Sequence, residues 1–509
     1  METLQDLINA RRQKLAAIRE AGVNPYPYEY ERTHTVAEFL HEFDSLMDEE
    51  KSVKVAGRLV AKRVMGKAAF AHIHDDTTRV QIYVKRDDIN TEAKPNSYSL
   101  FKTKSDLGDW IGLVGKPMIT KTGEKTLCIS DWDMLAKAIR PLPVVKEDAE
   151  TGKRFHEFSD PNERYRNRAL DLIVNPEERE IFRTRADIIA TMRRHLDDRG
   201  FLEVETPVLQ PLYGGGTARP FITHHNQLKK DLYMRIADEL YLKRLIVGGM
   251  DRVYEISKDF RNEGVDRTHN PEFTMMECYI AFKDYQYHME LVETMVSEMA
   301  KRIHGTYVVP FGDSEIDFTP PWNRVKFFDA LQEATGKDLL GSTLDDVKAL
   351  AKEKHIEFPE KASWGKVVDE IMGELVEPNF TKPTFVIDYP LELSPLAKKH
   401  RSDDRLVERF EAFCGGMEIA NAFSELNDPD DQRARLEAQQ EMRTGGDDEA
   451  MPLDEDFLAA LELGMPPTAG LGLGIDRLVM ILTNRQTIRD VVLFPLLRDQ
   501  DAAKEEDEE

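Results

Sequence analysis

The chain has 509 residues, 32% of them charged, with a net charge of −25 and three cysteines. That length exceeds one ordinary hydrophobic core, so two or more domains are expected. Cys128, Cys278 and Cys414 form neither CxxC spacing nor a Cys/His cluster, no apolar run approaches the ~18 residues of a membrane span, and METLQDLINARRQKL lacks a signal-peptide apolar region; disulfides, structural zinc and export are disfavoured, and a reducing cytoplasm is expected.

Residues 1–50 read as a helical extension. Leu4, Leu7, Ile8, Leu15 and Ile18 fall on one side of a helix over Leu4 to Glu20, with Arg11, Arg12, Lys14 and Arg19 elsewhere, before a Pro-rich link at Asn24 to Tyr28. Such a helix is expected to pack on the domain that follows. That domain, 51–145, reverses the acidic balance: 12 Lys and 5 Arg stand against 10 Asp and Glu, a net of +7 that leaves −32 for the rest. A basic module beside an acidic body keeps a nucleic-acid partner in view. Within it VKVAGRLVAKRV, AAFAHIHD, TRVQIYVKR, DWIGLVGKPMIT and KTLCISDWDMLAKAI are short strand-like runs separated by turn residues. Five such runs suggest a small closed barrel of the OB-fold kind, whose strand face stacks bases on aromatics between cations. Phe70, between Arg63 and Lys67, is the candidate platform and Gln81 a candidate reader of a base edge; the competing reading is that Phe70 is a core residue of the barrel.

Residues 146–160, the charged run that follows PLPVV at 141–145, read as a linker to a larger domain over 161–498. There Arg183 to Arg199 has Ile188, Ile189, Met192 and Leu196 at helical spacing, ended by Gly200 and followed by the strand-like FLEVETPVL. Arg252 to Phe260 and Glu272 to Phe282 read as two antiparallel strands joined by a polar loop with a turn at Asn270-Pro271. That hairpin brings Arg261, Glu263, His269 and Phe273 towards one another, a cation and an aromatic face suited to a nucleotide.

In RFEAFCGGMEIANAFSELND, Gly415-Gly416 is a two-residue turn between alternating strands. It places Glu411 and Glu418 on one sheet face as diagonal neighbours, with Cβ atoms roughly 7 Å apart, a spacing at which two carboxylates either stay solvated or share a hard divalent cation with phosphate oxygens. Strict alternation would turn Asn421, Phe423 and Glu425 away from Glu418. A bulge or strong twist near Ala420 is therefore expected if they line one pocket. Ala469 to Leu482, AGLGLGIDRLVMIL, is a Gly-rich strand running into an apolar helix; its alternating glycines fit neither GxGxxG nor GxxxxGK[ST]. The terminal run 499–509 reads as an acidic disordered tail.

FRNEGVDRTHNPEFTMMECY, Phe260 to Tyr279, resembles motif 2 of the class II aminoacyl-tRNA synthetases, and the lysyl-tRNA synthetases in particular. RYRNRALDL, GFLEVETPVLQ, ARPFITHHN, ELYLKRLIVGG, EIANAFSELND and PPTAGLGLGIDRLVM agree with that family from about residue 1 to residue 498. The resemblance implies an α+β architecture, an N-terminal OB-fold barrel plus a class II catalytic domain built on an antiparallel β-sheet flanked by helices. It implies a homodimer formed partly around Pro207, and a lysine–tRNA ligase that makes lysyl-adenylate and pyrophosphate from L-lysine and ATP with Mg2+, then transfers lysine to the 3′ end of tRNA(Lys).

By matched position, Arg261 and Arg477 are catalytic, and Arg261, Glu263, His269, Phe273, Glu411 and Arg477 bind ATP, with Phe273 and Arg477 on the two faces of adenine. Glu411 and Glu418 hold magnesium. Glu425 and Tyr279 take the ε-ammonium of lysine and Glu239 and the Gly215 backbone its α-amino group, while Arg261, Glu277, Asn421 and Phe423 complete the site. Phe70, Gln81 and Asp131 bind the anticodon. Two departures stand out: Asp238 precedes Glu239 where many relatives have proline, and Thr268 separates Arg267 from His269, so Arg267 is assigned no role. The alternatives are an aspartyl- or asparaginyl-type enzyme, which would want cations in the pocket; a protein-modifying lysyltransferase, which would lack the barrel; and an inactive RNA-binding paralogue, which would have lost Arg261, Glu418 or Arg477.

Overall fold

The computed structural model describes residues 3–143, 146–147, 154–155 and 158–498, which fall into two compact units, 1–159 and 160–509. The acidic tail and most of the linker lie outside the described residues. Among the described residues no helix is long and apolar enough to cross a membrane.

In the first unit, helix α1 (Leu4–Glu20) begins at a Thr3 cap that accepts from the Asp6 amide, with Asp6 returning the bond. It packs on the barrel as its amphipathic pattern requires: Ile18 enters the core, Arg11 donates to the carbonyls of Leu107 and Ala138, and Lys14 pairs with Asp106. Two of its four cations are thus spent within the unit. Strands β1 (Val53–Met65), β2 (Ala68–His74), β3 (Arg79–Lys85), β4 (Trp110–Ile119) and β5 (Lys125–Ala136) close into a five-stranded barrel in the order β1-β2-β3-β5-β4. Alternation decides which side chains fill it. Ala69, Ala71 and Ile73 of β2 are buried with Ile82, Val84, Leu127 and Ile129, so Phe70 and His72 between them face outward.

In the second unit, helix α2 (Arg179–Asp197) starts earlier than its apolar spacing suggests, because a 3-10 turn at Pro176–Glu178 leads into it. The expected strand after it forms only in pieces. Leu202–Glu203, β6, joins the main sheet, while Leu209–Gln210 pairs in a separate three-stranded sheet; Pro207, without an amide donor, lies between. Helix α3 (Glu239–Val247), strands β7 (Arg252–Phe260) and β8 (Glu272–Ala281) and helix α4 (Tyr285–His304) follow. Then come β9 (Asn323–Lys326), α5 (Trp364–Leu375), β10 (Thr384–Ile387), β11 (Arg409–Cys414), β12 (Met417–Ser424), β13 (Thr468–Gly474) and α6 (Ile475–Leu482).

The main sheet runs β9-β10-β11-β12-β13-β8-β7-β6. Its six central strands are antiparallel, as expected, but both edge pairs, β9 with β10 and β7 with β6, are parallel, so the sheet is mixed. One face is the core. Phe410, Ala422, Leu471 and Cys278 form one row across β11, β12, β13 and β8, and Ala412, Ala420, Leu473 and Met276 the next. All eight are buried beneath α2, α4 and α6.

Candidate active site

Because side chains alternate, the opposite face of the same four strands carries the rows between those core residues. Arg409, Phe423, Gly470 and Tyr279 lie in register, and beside them Glu411, Asn421, Gly472 and Glu277. The three alternating glycines of β13 therefore all fall on this face, while Leu471 and Leu473 point into the core. A side chain at Gly470 would run into the carboxylate of Glu425 and the ring of Tyr279. The glycine pattern clears the floor of a cavity of about 410 Å³.

Regular alternation could not put Glu418 and Asn421 together on this face. Phe413 faces Glu418 and Ala412 faces Ala420, so Ile419 is an extra residue on β12. This is the bulge that the one-pocket reading required, one position before Ala420, and it brings Asn421 and Phe423 to the side of Glu411 and Glu418.

The β7–β8 hairpin supplies a second wall. Its strands match the sequence reading to within a residue, and its loop carries Glu263 and His269 to the cavity, with Arg261 at its start and Phe273 on the returning strand. The Arg261 guanidinium lies over the Phe273 ring, 5.0 Å from the centroid. Arg477, in the first turn of α6, does not face Phe273 directly here: it donates to the Glu418 backbone carbonyl (2.8 Å) and carboxylate (3.2 Å) and approaches His269 Nε2 at 2.9 Å. Phe273 and Arg477 are thus each engaged by another pocket residue. Arg267 is not part of the cavity wall and donates to the Gln486 carbonyl.

Gly215, Glu239, Glu277, Tyr279, Asn421 and Phe423 all line the same cavity. Gly215 has φ +86°, and a side chain there would strike the Glu239 Cβ at 2.9 Å, so the chain needs glycine to pass this close. Glu277 accepts from the Tyr279 hydroxyl and from the Asp238 amide, both at 3.0 Å. Burial, and then the charges of Asp238, Asp259 and Glu239, push its carboxyl well above the usual range. Behind it Arg235 pairs with Asp238, Glu255 and Asp259. Glu425 does not line the open cavity; it is fully buried at its end, against Gly470, with its carboxylate on the ammonium of Lys243.

Five side chains in or beside this site escaped the sequence reading. Lys243 is fully buried between Glu239 and Glu425. Arg409, two residues before Glu411 and so on its face by simple alternation, bonds both Glu411 and Asn421; Tyr389 donates to the other Glu411 oxygen at 2.9 Å. Burial raises the Glu411 carboxyl to about 7, with Glu418 and Asp369 adding to the rise and Arg409 opposing it. Glu377 is pushed up to about 8 by burial and by the charges of Glu411, Asp369 and Glu418. Neither Asp369 nor Glu377 stands in a motif. The corner is thus rich in hard oxygen donors that repel one another, a set that suits a divalent cation carrying phosphate oxygens.

In the barrel, Phe70 faces outward and packs on Tyr83 at 4.9 Å between centroids, which removes the core reading. Gln81 shares that face but is buried, donating to Thr126 Oγ1 at 2.9 Å. Asp131, on the outside of β5, binds the Lys94 ammonium with both oxygens at 2.8 and 2.9 Å. The Gln81 amide nitrogen and both Asp131 oxygens are thus already engaged.

Comparison with known proteins agrees with this geometry. Residues 160–498 match the model of the class II tRNA synthetases (D, K and N), and residues 53–135 that of the OB-fold nucleic acid binding domain. The chain is 51% identical over 499 residues to a lysine–tRNA ligase of Chloroflexus aurantiacus, covering 98% of this chain and 99% of the relative. It is 49% identical over 511 residues to one of Christiangramia forsetii, covering all of this chain and 89% of the relative. A third, from Shouchella clausii, is 49% identical over 504 residues, 98% of each chain. With the catalytic sheet, the glycine-floored pocket and these end-to-end likenesses together, the chain belongs to the lysine–tRNA ligase family of class II tRNA synthetases.

Proposed function

We propose that the chain is an ATP-dependent lysine–tRNA ligase, and that the pocket on the open face of the main sheet performs both of its steps. In the first, a carboxylate oxygen of L-lysine bonds to the α-phosphorus of ATP as the bond to the bridging oxygen breaks, and pyrophosphate leaves with that electron pair. The carboxylate is already ionised, so no general base is needed and catalysis rests on positioning and charge. Arg261 holds the carboxylate and the α-phosphate. Glu263 and His269 contact the nucleotide, and Phe273 and Arg477 enclose the adenine. Glu411 and Glu418 would hold Mg2+ with the phosphates, which neutralises charge there when bound. In the second step lysine passes from the adenylate to the 3′-hydroxyl of the terminal adenosine of tRNA(Lys), and AMP leaves.

The observation that carries the choice of substrate is the convergence of Glu239, Glu277 and Glu425 at the closed end of the pocket. Lysine brings two ammonium groups, and burying each requires an acceptor, best a carboxylate. Glu425 and Tyr279 serve the ε-ammonium, and Glu239 and the Gly215 carbonyl the α-amino group, with Glu277, Asn421 and Phe423 enclosing the chain between. An aspartate-specific pocket would present cations instead. Phe70, Gln81 and Asp131 read the anticodon on the outer face of the barrel, Phe70 by stacking; the engaged polar atoms of the other two would have to exchange their partners. The exposed apolar side chains Leu202, Leu209, Ile222 and Phe282 support a homodimer, and three unpaired cysteines fit a cytoplasmic protein. The test is exchange of pyrophosphate into ATP with each amino acid in turn. Lysine alone should support it; exchange with aspartate or asparagine in its place would overturn the assignment.

A further inference from the structure

Lys243 lies one helical turn after Glu239 on α3 and has no exposed surface. Its ammonium is 2.5 Å from Glu239 Oε1, touches Glu425 Oε2, and stands 5.4 Å from the Phe423 ring centroid and 6.0 Å from that of Phe457. A lysine is almost never buried this completely unless paired, and here it is paired twice, with two carboxylates reserved above for the substrate. We propose that Lys243 is a positioning residue for the choice of amino acid: its fixed ammonium bridges Glu239 and Glu425 and sets their orientation and spacing for the two ammonium groups of lysine.

The inference rests on the reading of the lysine site and deepens it. Glu239 and Glu425, the two carboxylates that Lys243 pairs with, are the acceptors assigned above to the α- and ε-ammonium groups of L-lysine, while Arg261 takes the carboxylate. A neutral isostere such as L-norleucine brings no ammonium to Glu425, and a site built to receive a charged group rejects the analogue that lacks it. Burial raises both carboxyls and the charge of Lys243 opposes that rise, so the bridge also favours their ionised forms.

The experiment compares the full-length wild type with Lys243→Met in pyrophosphate exchange, measuring KM for lysine, KM for ATP, kcat, and the preference for lysine over norleucine. The variant should raise the lysine KM at least tenfold and lower the preference at least tenfold, with the ATP KM and kcat within about threefold of wild type. A lysine KM and preference within twofold of wild type would overturn the inference, and so would an equal rise in both KM values. If Lys243→Met does not fold, the paired change Lys243→Met with Glu239→Gln should, because it removes one carboxylate together with the counter-ion and so keeps the net charge of the site; a double variant that also fails to fold means that Lys243 acts by packing, and overturns the proposal. A wild type that does not use lysine at all would instead sink the reading of the site.

Discussion

Replacing Gly470 by alanine tests the pocket floor with one carbon atom. Gly470 pairs with Tyr279 on one side and Phe423 on the other, and its added Cβ would fall well inside van der Waals contact of Glu425 Oε1 and Tyr279 Cε1, and 2.9 Å from Tyr279 Cδ1. Neither neighbour can retreat cheaply. Tyr279 is buried with its hydroxyl on Glu277, and the other oxygen of Glu425 is on Lys243. Overpacking of this kind costs roughly 1–3 kcal/mol. If most of that falls on the geometry of Glu425 and Tyr279, the lysine KM should rise by about tenfold for each 1.4 kcal/mol. The same sheet face supplies graded controls. Alanine at Gly472 would press on the flexible Met275 Sδ at 3.3 Å, with ordinary contacts to the Asn421 carbonyl at 3.9 Å and Glu277 Cγ at 4.0 Å, and at Gly474 would meet only the Ile419 carbonyl at 3.9 Å, also an ordinary contact. Lysine-dependent pyrophosphate exchange and thermal unfolding of the three variants should rank Gly470→Ala as the most impaired in both, Gly472→Ala as mild and Gly474→Ala as near wild type. Equal lysine KM values for Gly470→Ala and Gly474→Ala would refute the argument that these glycines keep space for the Glu425 end of the pocket.

Glu425→Gln should lose lysine activation far more than ATP binding, measured as separate KM values, because it removes the charge that faces the ε-ammonium; an equal loss of both would count against that role. Arg261→Lys keeps the charge but loses the planar fork, so kcat in the exchange assay should drop on the order of 100-fold with the melting temperature unchanged, and a variant with wild-type kcat would remove Arg261 from the chemistry. Phe70→Ala should weaken tRNA binding in a filter or anisotropy assay by roughly 1–3 kcal/mol and leave lysine-dependent exchange untouched; unaltered tRNA affinity would show that the outward ring stacks on no base. His288, fully buried in α4, has its pKa lowered from 6.5 to about 4 by burial. The native state therefore binds fewer protons than the unfolded state across that window, and stability is lost as pH falls from about 6.5 towards 4. Between pH 7 and 4.5 the wild type should lose about 2–3 kcal/mol more than His288→Leu, and denaturation curves of equal pH slope would contradict the assignment.

Local pattern was enough for the elements themselves. Alternation in AAFAHIH puts Phe70 on the face opposite Ala69, Ala71 and Ile73, although only the closed barrel decides which face is the inner one; helix α1 has the bounds its apolar spacing implies; and the β7–β8 hairpin lies where its period-two runs end at Asn270-Pro271. The bulge was legible too, but only as a contradiction, since Glu418 and Asn421 could share one pocket only if alternation failed between them. Arg409 could have been found in the same way, two residues from Glu411 on one strand.

Other features had no counterpart in local pattern. The parallel edge strands depend on which distant segment docks at each end of the sheet, and the split of FLEVETPVL depends on two different sheets competing for it. Lys243 reads in sequence as an ordinary cation on an amphipathic helix, and Asp369 and Glu377 as ordinary surface acids. Periodicity determines the face of an element on which a side chain lies, because backbone geometry repeats every two or 3.6 residues. What that face meets is decided by the packing of segments far apart in the chain, and the burial and charge of a site, from the raised carboxyl of Glu411 to the double pairing of Lys243, exist only once those segments have come together.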